Sequence, residues 1–70
     1  MSTENINYDL VKLLKSKMDN VWRLEKFYCK DAEDANCKSL ESLKQILENE
    51  SLHVKMLKEA IKERMDAGIF

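Results

Sequence analysis

The amino-acid sequence predicts an all-α fold, an antiparallel helical hairpin that dimerises into a four-helix bundle. Three observations predict it. The 70 residues hold one Gly and no Pro, and 36% of them are charged, the composition of long helices rather than strands. Apolar residues recur at steps of three and four along two stretches. The one concentrated turn signal between those stretches is Asn36-Cys37-Lys38-Ser39. Two helices alone cannot enclose a core, so association beyond the monomer is expected.

The start, Met1-Ser2-Thr3-Glu4-Asn5, is polar, and residues 1–6 are expected to be frayed. Asn5 or Asn7 can cap the first helix, with Asp9 in the first turn facing the positive end of the dipole. That helix is predicted from about Tyr8 to about Ala35. Asp19-Asn20 is its weak point, because both are poor helix-interior residues and a break there would give three helices. The seam continues in phase from Met18 to Val21, so one long helix, bent at most, is expected. Asn36 tolerates the left-handed conformation that ends a helix, and Ser39 can cap the next one. The second helix is predicted from about Leu40 to Ala67. Gly68 stands at the position that closes it, with Lys62 and Arg64 near its negative end. Ile69 and Phe70 trail beyond it. Residues 1–70 form a single helical domain with no repeat, linker or low-complexity segment.

Each helix carries an apolar seam with one gap. In the first, Val11, Leu14, Met18, Val21, Tyr28, Ala32 and Ala35 leave Glu25 at the missing step. In the second, Leu40, Leu43, Leu47, Val54, Leu57 and Ile61 leave Glu50 there. An antiparallel register about the 36–39 turn sets Tyr28 against Leu47, Val21 against Val54 and Leu14 against Ile61. Glu25 then faces Glu50. His53 lies one turn from Glu50, opposite Trp22. Unpaired carboxylates on such a seam are costly. Two hairpins related by a two-fold axis would bring Glu25, Glu50 and His53 of both chains to the bundle centre. Divalent cations bridged by the glutamates would relieve the repulsion.

Glu25 with Phe27-Tyr28, and Leu47-Glu50-x-x-His53-x-x-x-Leu57 on the second helix, resembles the half-repeat of ferritin-like, rubrerythrin-type di-iron proteins. The resemblance covers residues 18–60 or so. A full ferritin-like chain carries two such halves, and this chain carries one. In that respect it is similar to the encapsulated ferritins, short ExxH proteins that build their iron site between subunits. The resemblance implies a di-iron site, with manganese as the alternative metal, held by Glu25, Glu50 and His53 from each chain. It implies ferroxidase or peroxidase-like chemistry. Tyr28, one turn from Glu25, and Trp22 are the aromatic residues beside that site. The sequence departs from the family at Ala32, where a Tyr is usual, and in its shorter inter-helix connection.

The alternative reading is a cofactor-free helical hairpin dimer, a protein-interaction or regulatory module. Glu25 and Glu50 would then set the register of the bundle, as a buried polar residue does in coiled coils. On this reading Trp22 and Tyr28 are bundle core.

Several classes are disfavoured. Lys and Arg number 12 against 13 Asp and Glu, with no basic stripe, so nucleic acid is not an expected partner. No apolar run reaches membrane-spanning length and no signal peptide opens the chain, so a cytoplasmic protein is expected. Cys29 and Cys37 have neither CxxC nor zinc-finger spacing and are expected to be free thiols.

Overall fold

The computed structural model describes residues 3–70, with side chains from Asn5 onward. Every described element is helical. Helix α1 spans Thr3–Arg23, a π-helical turn follows at Leu24–Tyr28, α2 spans Cys29–Asp34, and α3 spans Leu40–Asp66. Helix α1 thus begins earlier than the polar start suggests. What the sequence led us to expect of residues 1–2 lies outside the described residues. No described helix is long and apolar enough to cross a membrane.

The two arms lie against each other. Near one end, the Asn7 side-chain amide donates to the carbonyls of Ile69 (2.9 Å) and Phe70 (3.2 Å). Arg64 Nε donates to Asn7 Oδ1 at 2.6 Å. Midway, Lys17 and Asn20 reach Glu50. The Cα extents are 49 × 17 × 15 Å, which accommodates two helices side by side and no third layer.

Both helix stops follow the residues that signal them. Asn36 takes a left-handed φ of 51° and Gly68 one of 73°. At the first stop Cys37 N–H donates to Ala32 O and Asn36 N–H to Glu33 O. At the second Ile69 N–H donates to Arg64 O and Gly68 N–H to Met65 O. Both are Schellman closures, which satisfy carbonyls the helix would otherwise leave open. Ser39 precedes α3 as expected, but its side chain makes no capping hydrogen bond. Its hydroxyl lies instead 3.0 Å from Cys37 Sγ.

The irregularity of the first arm is at 24–28 and not at Asp19-Asn20, which sits inside regular α1. Cys29 N–H donates to Leu24 O, five residues back. A π turn holds one residue more than an α turn over the same length, so it shifts the phase of the helix. The buried face therefore runs through Leu10, Leu14, Lys17, Val21 and Leu24, then jumps five to Cys29 and on to Ala32. Leu24 (4% exposed) and Ala32 (7%) are the buried apolar residues. The uninterrupted period-3.6 seam is corrected accordingly. Val11, Met18, Glu25 and Tyr28 are exposed, because the surplus residue turns them off the contact face. Trp22 is also exposed in the single chain, and packs edge-on against Phe27 with ring centroids 5.2 Å apart.

The second arm keeps its predicted seam. Leu40, Leu43, Leu47, Glu50, Val54, Leu57 and Ile61 are all buried or half-buried.

Candidate functional site

Glu50 occupies a seam position of α3 and is the buried charged residue of the described chain, 8% exposed. A carboxylate there needs partners to offset its lost hydration. Lys17 and Asn20 supply them from α1. Their spacing of three places both on the face that meets α3. Lys17 Nζ donates to Glu50 Oε1 at 2.8 Å, and Asn20 Nδ2 donates to Oε2 at 3.1 Å. His53, one turn along α3, holds Nδ1 3.3 Å from Oε1 and can donate there when that nitrogen carries a proton. Among the described residues no buried side-chain nitrogen or oxygen lacks a partner.

These contacts favour the ionised carboxylate. The Lys17 hydrogen bond holds the Glu50 carboxyl below its ordinary range, with the Asn20 amide adding to the effect. Burial pushes the other way and is outweighed.

The residues named from the sequence are only partly brought together. Glu50 and His53 are adjacent. Glu25 is not with them. It sits in the π turn, exposed, beside a shallow depression lined by Met18, Val21, Trp22, Ser51 and Val54. His53 lines a different depression with Leu13, Lys17, Met56, Leu57 and Ala60. The expected facing of Glu25 and Glu50 is therefore corrected: the π turn carries Glu25 off the contact face, and Lys17 and Asn20 occupy the level of Glu50. Tyr28 and Trp22 part company too. Tyr28 borders a third depression, with Asn20, Leu24, Leu43, Ile46 and Glu50, while Trp22 borders the one beside Glu25.

Lys17 and Asn20 are the site residues that sequence reasoning missed. A signal for Lys17 was present: Leu10, Leu14, Lys17, Val21 and Leu24 also step by three and four. A lysine on that path is readily discounted, yet its apolar stem can lie in a seam while its ammonium reaches a carboxylate.

Glu25, Glu50 and His53 do not converge as a ligand set within one chain. Glu50 presents its oxygens to an ammonium and an amide rather than to an open pocket. Among the described residues no three His, Cys, Asp or Glu side chains are grouped so as to hold a metal ion.

Cys29 is a half-buried free thiol and Cys37 an exposed one. The Ser39 hydroxyl, and then the Ser39 N–H, stabilise the Cys37 thiolate and lower its pKa from the ordinary thiol value.

Comparison of the chain with protein-family models, with curated proteins and with solved structures found no match.

Proposed function

We propose that this chain is a helical hairpin that works by association, a protein-interaction module whose apolar flank docks against another helical pair without a cofactor. The observation that carries the reading is surface area. A folded monomer of this mass is expected to expose about 4,500 Å². This chain exposes 5493 Å², an excess of about 1,000 Å², against the roughly 800 Å² each partner buries in a standard interface. Large apolar side chains supply much of that surface, among them Leu13, Ile46, Met56 and Tyr28.

The Lys17–Glu50–Asn20 cluster has a role on this reading. Only one register of the two arms pairs the Glu50 carboxylate with both donors. A slip of one helical turn would strand it, and a stranded buried charge is strongly destabilising. The cluster therefore fixes the arms, and with them the shape of the flank, as a single polar residue fixes register in coiled coils.

Native size in cell extract, compared with the size of the pure EDTA-treated chain, tests the reading. A larger species in extract is expected, and helix content should survive metal removal. A monomer under both conditions would sink the module.

A second reading is a ferritin-like iron site, with manganese as the alternative, completed between subunits by Glu25, Glu50 and His53. Its specific support is the π turn that contains Glu25, since π turns occur frequently at functional sites. It requires Lys17 to leave Glu50. Anaerobic Fe(II) titration separates the readings. One iron per chain, lost in both Glu50→Ala and His53→Ala, would replace the first reading by the second.

A further inference from the structure

Building on the association reading, we infer that the occupant of the flank is a second copy of this chain, docked about a two-fold axis through the Lys17–Glu50–Asn20–His53 cluster.

The two flanks of the paired arms differ. On one, Met18 and Trp22 of α1 stand beside an α3 surface where Val54 is flanked by Lys55, Lys58, Glu59 and Lys62, so the α3 side is mostly charged. On the other, both arms contribute apolar groups. Leu13 of α1 and Met56 and Ala60 of α3 line a depression on one side of the cluster. Tyr28 of the π turn and Ile46 of α3 line another on the opposite side. Lys17 and His53 border the first, and Asn20 and Glu50 border the second. The polar cluster thus lies between two depressions to which both arms contribute apolar side chains.

A two-fold interface must be complementary to itself. An axis normal to this flank at the cluster exchanges its ends, so the Leu13–Met56 end of each copy meets the Tyr28–Ile46 end of the other. Charge does not oppose this. The carboxylate and ammonium at the centre neutralise each other within one chain at 2.8 Å, and the net charge is −1. Two copies carry no strong field of one sign to drive them apart, and the flank offers no such field to a highly charged partner. The excess of about 1,000 Å² per chain also matches what each half of a standard dimer covers.

Sedimentation equilibrium of the full chain over a wide concentration range tests the inference, with Ile46→Glu, Leu13→Glu and Trp22→Glu alongside. All three positions are exposed in the single chain, so helix content by circular dichroism is expected to be unchanged. The wild type should be a dimer. Ile46→Glu and Leu13→Glu should each raise the dissociation constant by about a hundredfold or more, because the two-fold buries two unpaired carboxylates. Trp22→Glu, on the other flank, should leave it within a few-fold. A wild type monomeric throughout overturns the inference while the wider association reading survives if the extract species is larger. A dimer broken by Trp22→Glu and spared by Ile46→Glu overturns the choice of flank.

Discussion

Substituting Lys17→Met and Glu50→Leu, singly and together, measures what the central pair contributes to folding. Lys17→Met leaves a carboxylate 8% exposed with Asn20 and His53 but without its ammonium. Removing one partner of a buried ion pair costs about 3–5 kcal/mol, and a hydrogen bond to a charged group contributes about 1.5–3 kcal/mol. The Lys17 side chain keeps a quarter of its surface in water, and two neighbours still hold the carboxylate. Both facts favour the lower range, so a loss of about 2 kcal/mol is expected. The total for a chain this size is roughly 3.5–10 kcal/mol, and such a loss would lower Tm by about 8–16 °C. Glu50→Leu should cost under about 1 kcal/mol, since the Lys17 ammonium can turn to water along its stem. The double variant should lie within about 1 kcal/mol of wild type, because apolar replacement of a buried pair is often neutral. The coupling is then about 1–4 kcal/mol. Urea unfolding followed by circular dichroism, at one fixed chain concentration, reads it. The exposed Lys15–Asp19 pair, at 3.0 Å, gives the baseline of about 0.3–0.5 kcal/mol for a surface pair of this spacing. A Lys17–Glu50 coupling no larger than that baseline would refute the reasoning.

Three more outcomes are expected. Glu50 has a lowered folded-state pKa, so its contribution is complete above the ordinary carboxylate pKa and fades as pH falls through the lower folded value. Stability of the wild type should drop in that acid range and that of Glu50→Leu much less, and equal slopes would contradict it. Deleting Lys26 removes the surplus residue of the π turn and leaves both halves of the buried face in phase, so stability should change by no more than about 1 kcal/mol. Were the first arm a plain α-helix, the same deletion would rotate one half off the contact and cost several times more, which thermal unfolding distinguishes. Finally, Cys37 should react with a disulfide reagent faster than half-buried Cys29, and Ser39→Ala should move its pH–rate midpoint upward. No movement would remove Ser39 from that role.

How much of this was legible depended on which rule each residue obeyed. The second arm could be read step by step from Leu40 to Ile61, Glu50 included, because α3 is regular throughout. Asn36 and Gly68 announced the helix stops because few residues accept a left-handed φ. The first arm was misread because its period breaks at Leu24–Tyr28, where no Gly, Pro or cluster of polar residues marks the change. The Lys17–Glu50 pairing was not readable locally at all. It joins residues 33 apart and depends on a phase that only the packed arms reveal. The Ser39 side chain shows a smaller version of the same problem: the cap position was visible in sequence, and its choice of Cys37 as partner was not.

The π turn also means that the first arm spells two faces with one set of letters. Leu14 and Val21 belong to both. With five residues in the turn, Lys17 is dealt to the level of Glu50. Were the same residues wound as ordinary α-helix with Ala32 held in place, everything before the turn would rotate by about 100°, and Met18 would be dealt there instead. One hydrogen-bond frame separates an ammonium from a thioether beside Glu50. The 2.8 Å contact between Lys17 and Glu50 acts as the detent that holds the frame.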